Sequence, residues 1–525
     1  MPRRSRLIPG LLAAAVIATA GCTLPVIAPN ESGPDGGQQQ SQGQSQAPAV
    51  PGTEATWRAC PDVPRALVGR AATGMTYECA SVAVPRNWAE PAQGKTFNVA
   101  MIRIRSEDQK DRIGSLLLNP GGPGASGIET AVYLSFGPRL GGLPLEVTNQ
   151  FDIVGFDPRG VGKSDPIKCV SDADQDAAFA APPDPVTQAE FDQVADLNKR
   201  IGDECGRKYG DELSLFSTEQ AAHDMDAIRA AVGDEKTTYL GYSYGTLLGA
   251  TYAQLYPKKI RALVLDGAVD PKQGYVARAE TQAKGFERAF TNFTTWCTAT
   301  TRSCPIAPDA RGVITDVLAK AKVSPVAGKD GRAATPGWIF LGLVSSLYTE
   351  AGWPALAKAI DTLQAGNAEG IFDLADSYAR REPNGTYTNL FDANTAVNCA
   401  DADDVPSVQE VRKLQGEWRS KYPLFGAPLA IGLLPCTYWP AKRDPYPAGP
   451  AVGSPPILVV GTTGDPATPY ENTAQLASML GTGQVLTWEG EGHTAYPNTP
   501  CITQAVDAYL TDLTVPRAGL RCPAR

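Results

Sequence analysis

Seven short apolar runs, each closing on a loop that carries glycine or aspartate, set the strongest limit on how this chain can fold. They are FNVAMIRI (97–104), SLLLNPGG (115–122), FDIVGFDPRG (151–160), TTYLGYSYG (237–245), IRALVLDGAVD (260–270), PILVVGTTGD (456–465) and QVLTWEGEGH (484–493). Helical patterns lie between many of them. The one before Tyr239 opens on the capping box Ser217-Thr218-Glu219-Gln220 and runs to Ala231, with Gly233 as its stop. Near-continuous apolar strands alternating with helices predict an α/β fold with a mostly parallel sheet covered on both faces. In such sheets chemistry collects at the carboxyl ends of the strands.

The alternation stops between about 272 and 450. Helical stretches such as ARAETQAKGFERAFTNFTTW and GWPALAKAIDTLQAGNAEGIFDLADSYARR fill that segment, with few strand runs. It reads as a large, mainly helical insertion between two halves of one sheet, 57–271 and 451–525. It is either a cap over the catalytic face or an unrelated accessory domain.

The first 22 residues, MPRRSRLIPGLLAAAVIATAGC, carry Arg3, Arg4 and Arg6 before an apolar core too short to span a bilayer. This is the pattern of an export signal. Its end, Thr19-Ala20-Gly21-Cys22, resembles a bacterial lipobox, which implies a lipidated Cys22 at the mature N-terminus. Thr19 stands where that pattern usually has Leu, so plain secretion is the alternative. Residues 23–56 are rich in Gln, Ser, Gly and Pro and offer almost nothing to bury, which predicts a disordered tether. Its r.m.s. reach of roughly 30 Å would hold a globular domain clear of a membrane on the outer face of the cell.

The charge balance, -9 overall with 20% charged residues, gives no footprint for nucleic acid. Besides Cys22 there are ten cysteines, an even number that fits disulfides outside the cytoplasm. The spacing does not fix the pairing. Joining neighbours along the chain gives 60–79, 169–205, 297–304, 399–436 and 501–522. A metal site is disfavoured, because there is no Cys-x-x-Cys and the two histidines stand far apart, at 223 and 493. No cofactor is expected.

Gly241-Tyr242-Ser243-Tyr244-Gly245 would be weak evidence alone in a chain with 52 glycines. Its context strengthens it, since an apolar strand precedes Ser243 and TLLGATYAQLY follows with helical spacing. A nucleophilic serine at a sharp strand-to-helix turn needs small neighbours at 241 and 245. A serine hydroxyl also needs a base. His223 lies inside the capped helix, whereas His493 ends a strand in a glycine-flanked loop, and His493 is the expected base. The acid that fixes its tautomer is expected to be Asp465, at the end of the preceding strand, with Asp266 as the rival. Asp266 has the alternative task of tying the turn after its own strand. The small residues of LLLNPGGPGASG allow backbone N–H groups to approach a developing oxyanion; Gly122 and Tyr244 are the expected donors. DPRGVGKSD (157–165) lacks the glycine a phosphate loop needs, having Asp157 there, and reads as a structural turn.

Taken together, NPGGPGASG, DPRGVGKS, GYSYGT, LDGAVDP, the Cys399-Ala400-Asp401 triplet, GDPATPY and GEGHT resemble the prolyl iminopeptidase and tripeptidyl aminopeptidase branch of the α/β-hydrolases. Within it the chain is similar to the secreted or lipid-anchored actinobacterial tripeptidyl aminopeptidase-like serine hydrolases. Prolyl iminopeptidases proper carry a His before the paired glycines, where this chain has Pro120. The resemblance implies an α/β-hydrolase fold and release of short peptides from free N-termini, with a cap that presents acids to the substrate ammonium. Asp401 is a candidate for such an acid, or else a carboxylate that stabilises the cap. Thr468 would orient Asp465 or line the pocket. The same triad serves esters, so a cell-envelope carboxylesterase is the alternative. A catalytically idle surface lipoprotein that binds peptides is a third reading. The membrane would be reached by the lipid anchor only, and the oligomeric state is left open.

Overall fold

The computed structural model describes residues 54–524; the expected export signal, Cys22 and the expected tether as far as residue 53 lie outside the described residues. The last residues of the expected tether are already part of the fold. Ala55 donates its N–H to the Ala231 carbonyl at 2.8 Å, two residues before Trp57 of the core, over whose ring Arg103 stacks at 4.3 Å.

The strands in chain order are β1 (Arg58–Ala59), β2 (Met75–Pro85), β3 (Thr96–Ser106), β4 (Gly114–Asn119), β5 (Phe151–Phe156), β6 (Thr237–Tyr242), β7 (Ile260–Asp266), β8 (Val326–Ala327), β9 (Ala333–Ala334), β10 (Ile457–Gly464), β11 (Gly483–Glu491) and β12 (Leu520–Pro523). All but β8 and β9, which pair with each other, form one ten-stranded sheet of order β1-β2-β3-β5-β4-β6-β7-β10-β11-β12. From β5 to β12 every pairing is parallel, while β1, β2 and β3 add an antiparallel edge. All seven apolar runs contribute strands to this sheet. The long strand β2 is one element the runs do not announce, because most of its residues are partly or fully exposed.

β4, β5 and β6 are buried at every residue, as strands covered on both faces must be. One face packs Leu117, Val154, Tyr239 and Leu247 into one core; the other packs Leu116, Ile153, Leu240 and Val264 into a second. The chain leaves β4 toward β5 on one side and returns to pair β6 on the other. This reversal of strand order opens a crevice at the carboxyl ends of β4 and β6, where Asn119 stands in register with Gly241.

Between β7 and β10 the chain is almost wholly helical, from the helix Tyr275–Ala299 to the helix Leu434–Thr437. It has a core of its own, including Phe290, Trp338, Leu343 and Ile360. The helical layer is wider than the 272–450 segment, because the helix Gln188–Tyr209 from between β5 and β6 joins it. Phe191 and Val194 of that helix pack with Trp418 and Leu434. In sequence this helix reads as an ordinary surface element of the sheet, and only its apolar face records that a second helical layer covers it.

The five disulfides pair neighbours along the chain, 60–79, 169–205, 297–304, 399–436 and 501–522. DPRGVGKSD forms a packed turn. Asp157 accepts from Ser126 Oγ and the Lys163 N–H, and Arg159 makes a buried ion pair with Asp224 at 2.6 Å.

Candidate active site

Ser243 occupies the single residue between β6 and the helix Tyr244–Leu255, with φ 56° and ψ -122°. A non-glycine residue held there costs on the order of 1–3 kcal/mol, so its surroundings must hold it. The Ser243 N–H donates to the Asp266 carbonyl at 2.9 Å, and its carbonyl accepts from Thr246 N–H at 2.8 Å and Thr246 Oγ1 at 2.6 Å. The flanking glycines are a steric requirement. A Cβ on Gly241 would lie 2.4 Å from the Gly245 carbonyl oxygen, and one on Gly245 would lie 2.7 Å from that of Asn119. Ser243 remains partly accessible.

The loop after β4 closes directly on this turn. Asn119 Oδ1 accepts the Gly121 N–H at 3.0 Å, and a Cβ on Gly121 would come within 2.5 Å of the Tyr242 oxygen and 2.9 Å of the Tyr244 nitrogen. Gly122, at φ 107°, is exposed beside it. Among the described residues neither the Gly122 nor the Tyr244 N–H has an acceptor in the protein. Two backbone donors are thus available where the loop meets the nucleophile turn.

His493 follows β11 on a loop turned by Gly492 (φ 117°). Its Nδ1 lies 2.9 Å from both Asp465 oxygens. Asp465, at the end of β10, is fully buried, and it also accepts the Ala467 and Thr468 N–H groups at 2.9 Å and the Thr468 hydroxyl at 3.0 Å. Thr468 therefore orients the acid. Burial pulls the His493 imidazole toward its neutral form, but the charge and hydrogen bond of Asp465, with the Asp266 charge behind them, more than offset this and raise its pKa.

Asp266 is no partner of the imidazole. Its carboxylate accepts the Ala495 and Tyr496 N–H groups at 2.9 and 2.8 Å, clamping the loop that follows His493. Burial pushes its pKa up to about 7. Because its carbonyl holds Ser243 and its carboxylate holds the histidine loop, the two reactive loops are fixed on one residue. A Cβ on the next residue, Gly267, would sit 3.1 Å from His493 Cε1. Ser243 and His493 thus flank the Asp266-Gly267 turn. His223 lies elsewhere, its Nδ1 2.6 Å from the Tyr256 hydroxyl.

Asp401 is not among the groups brought together. Its oxygens are taken by the Thr218 N–H at 2.8 Å and the Thr218 hydroxyl at 2.6 Å, and the Thr218 hydroxyl in turn meets the Tyr244 hydroxyl at 2.7 Å. The carboxylate serves the N-terminus of the helix Thr218–Ala231, where a helix leaves N–H groups unpaired, and buttresses Tyr244 from behind.

Three residues of the insertion that no sequence motif marks touch the site. The Tyr348 carbonyl accepts the His493 N–H at 2.8 Å, and its ring stands edge-on to the imidazole at 5.4 Å. Arg288 donates to the Asp465 carbonyl at 3.0 Å, and Asn394 donates to the Pro123 carbonyl at 3.0 Å in the glycine loop. A Cβ on Gly124 would lie 2.4 Å from the Leu390 oxygen, so the insertion rests directly on that loop. These contacts depend on tertiary approach alone, and only the small residues of the loop could have hinted at it.

The model of the family described as "alpha/beta hydrolase fold" matches residues 114–306, and that of "TAP-like protein" matches residues 422–522. The chain is 38% identical over 461 residues to the "Serine protease Hip1" of Mycobacterium tuberculosis, covering 85% of this chain and 87% of that protein. The chain belongs to the α/β-hydrolases. This α/β-hydrolase is also 34% identical over 515 residues to the "Carboxylesterase B" of M. tuberculosis, covering 95% of each. With the "Tripeptidyl aminopeptidase" of Streptomyces lividans it shares 31% identity over 453 residues, covering 82% of this chain and 81% of that one. It is therefore a hydrolase by family as well as by the arrangement of Ser243, His493 and Asp465.

Proposed function

We propose that this hydrolase is an exported serine peptidase that releases short peptides from free N-termini through an acyl-enzyme on Ser243. The observation that carries the proposal is the Asp465–His493 pair fixed on the same Asp266 turn as Ser243. In this reading His493 takes the Ser243 proton as the hydroxyl attacks the scissile carbonyl. The Gly122 and Tyr244 N–H groups hold the oxyanion, and His493 then passes the proton to the leaving amine. Lipidation at Cys22 would keep the enzyme at the outer face of the plasma membrane.

Two features support a peptide acyl group with a free ammonium. The insertion sets an aromatic ceiling against His493, with Tyr348 ring to ring with Phe286 at 5.7 Å and Tyr378 at 5.8 Å. Elsewhere in the insertion Glu382 has a pKa raised by burial and then by the charge of Glu129, which lies in the first turn of the helix Gly127–Leu134, just after the glycine loop. The Arg380 charge offsets part of this, and a substrate ammonium near both carboxylates would relieve the rest. The name of the relative aligned over 95% of both chains supports a second reading, a carboxylesterase using the same three residues.

One experiment separates these. Wild type and Ser243→Ala are given a peptide with a free N-terminus, the same peptide acetylated, and a short-chain ester. Cleavage of the free peptide in strong preference to the acetylated one, lost in Ser243→Ala, supports the peptidase. Equal cleavage of the two peptides sinks the aminopeptidase claim, and turnover of the ester alone promotes the esterase. An alanine variant that keeps its activity overturns the mechanism.

A further inference from the structure

The loop that carries the Gly122 donor is built almost without side chains, so it has to be held from outside. Gly121, Gly122 and Gly124 stand at φ 92°, 107° and 97°, a region that glycine enters freely and that is stiff only where something fixes it. Inside the loop the Ala125 N–H donates to the Gly121 carbonyl at 3.2 Å and closes a turn over 121–125. The Gly121 carbonyl and the Gly122 N–H belong to one peptide plane and point in opposite directions. The seating of this turn therefore sets where the Gly122 N–H aims.

Two side chains outside the turn seat it. At its start Asn119 Oδ1 accepts the Gly121 N–H at 3.0 Å. In its middle Asn394 Nδ2 donates to the Pro123 carbonyl at 3.0 Å, one residue past the donor. A side-chain amide can present either its oxygen or its NH2, and here Asn398 decides which. Its Nδ2 donates to Asn394 Oδ1 at 3.1 Å and to the Asn394 carbonyl at 3.0 Å, which leaves the Asn394 NH2 facing Pro123. The result is a directed chain from Asn398 through Asn394 to the loop.

The helix that bears both asparagines, Leu390–Asp401, is fastened at each end to the layer around the sheet. At its start Asp392 accepts the Cys169 and Val170 N–H groups at 2.7 and 2.9 Å, and at its end Asp401 holds Thr218. Between them Ala393, Ala396 and Val397 pack into the same core as Leu117 and Tyr239. Asn394 thus acts on the mobile-natured glycine loop from a fixed base, and its bond transmits position as well as energy.

We propose that Asn394 is the positioning residue of the oxyanion site: its amide holds the Pro123 carbonyl so that the Gly122 N–H points at the developing oxyanion, and Asn398 fixes the direction of that amide. The inference rests on the acyl-enzyme reading above. The Gly122 bond strengthens as the carbonyl oxygen gains charge, so the role belongs to kcat rather than to KM.

A tripeptide p-nitroanilide with a free N-terminus gives kcat and KM. A tripeptide boronic acid gives an inhibition constant for a tetrahedral adduct on Ser243 Oγ, with an oxygen where the oxyanion would sit. Losing an oxyanion donor outright costs about 100- to 1,000-fold; Asn394→Ala, which only loosens it, is expected to lower kcat about ten-fold with KM within about two-fold. Asn398→Ala, which frees the amide to turn, lowers kcat about five-fold. In Asn394→Asp one carboxylate oxygen must face the Pro123 oxygen, and kcat falls about 100-fold at neutral pH. A proton on the new carboxyl restores a donor there, so the kcat of this variant relative to wild type climbs as pH falls from about 9 to about 6. Across the three variants the boronate constant rises in step with the loss in kcat, while the inhibition constant of the product tripeptide stays within about two-fold. A side chain that merely braced the helix would move the melting temperature and none of these. Values of kcat and boronate affinity within about two-fold of wild type in Asn394→Ala and Asn398→Ala overturn the role whatever the melting temperature, as does a loss confined to KM. A flat pH ratio in Asn394→Asp overturns the directed contact with Pro123. If Ser243→Ala cleaves the anilide like wild type, or the boronic acid fails to inhibit wild type, the acyl-enzyme reading falls. If both behave as that reading requires while the asparagine variants match wild type, only the role of Asn394 falls.

Discussion

Replacing Asp465 by Asn tests the site where its geometry is most decisive. One carboxylate oxygen accepts both the Ala467 and Thr468 N–H groups at 2.9 Å, and the other receives the Thr468 hydroxyl at 3.0 Å. An Asn at 465 must leave its carbonyl oxygen facing the two backbone donors, because an amide nitrogen there would meet N–H groups head-on. Its NH2 is then forced toward His493 Nδ1. An amide that donates to Nδ1 selects the tautomer protonated on Nε2, which cannot take the Ser243 proton. The fold loses little, since the two backbone hydrogen bonds survive. The loss is catalytic, expected at about 10,000-fold in kcat, or about 5 kcal/mol of transition-state stabilisation. The pH profile carries a second signature. In wild type His493 must be neutral to act as base, and its raised pKa places the acid limb of kcat/KM above the ordinary 6.5. In Asp465→Asn the Asp465 charge and its hydrogen bond are gone while burial remains, so the limb of the residual activity moves to lower pH. The assay is kcat/KM for a free-N-terminus peptide from pH 5 to about 9, beside circular dichroism and a thermal melt. A folded Asp465→Asn protein within about 100-fold of wild type, or one whose limb stays in place, refutes the assignment of acid and tautomer.

Substitutions at three further positions probe the surroundings. Gly121→Ala drives a Cβ to 2.5 Å from the Tyr242 oxygen at a residue whose φ is 92°, so kcat should fall at least ten-fold and stability by about 1–3 kcal/mol, read by kinetics and denaturant unfolding; unchanged kcat would remove the glycine loop from the site. Asp401→Ala should cost about 1–3 kcal/mol by leaving the Thr218 N–H without an acceptor, whereas Asp401→Asn can serve both Thr218 groups and should keep activity. Burial holds the Asp401 pKa up to about 7, above its unfolded 3.8. The folded protein therefore binds this proton more tightly, and stability declines as pH rises between those values; urea titrations should show a flatter slope in Asp401→Asn. Glu382→Gln should raise KM about ten-fold for peptides with a free N-terminus and leave the acetylated peptide and the ester unmoved; equal effects on all three would place the ammonium elsewhere.

What could be read from the chain before its structure divides along the range of the interactions involved. The strands of the parallel sheet, the nucleophile turn and the order Ser243, Asp465, His493 are written locally, because each is a run, a turn or a loop whose neighbours in sequence are its neighbours in space. Asp266 shows where that stops. Its place at the end of β7 is legible, but its carboxylate serves N–H groups 229 and 230 positions further on, so the sequence alone left it as a rival acid. The motif at Asp401 leaves it open between a substrate acid and a structural carboxylate, and what decides is Thr218, 183 positions earlier, which takes both oxygens. The helix Gln188–Tyr209 falls within the 57–271 half expected to form the sheet, while its apolar face answers to Trp418 and Leu434.

The same distinction bears on what sets substrate choice. Every group that would make or break the acyl bond is held by the sheet and its loops, but the His493 N–H, the Asp465 carbonyl and the Pro123 carbonyl are each tied to the insertion, through Tyr348, Arg288 and Asn394. A shift of the insertion therefore cannot leave the base, the acid and the donor loop undisturbed together. A substrate that fits beneath the aromatic ceiling stabilises the position in which all three contacts are made. One that wedges the ceiling open loses alignment of the triad as well as contact area, and the penalty then falls on kcat more than on KM. On this reading the insertion would select by completing the site, which a mere barrier over a finished site would not do.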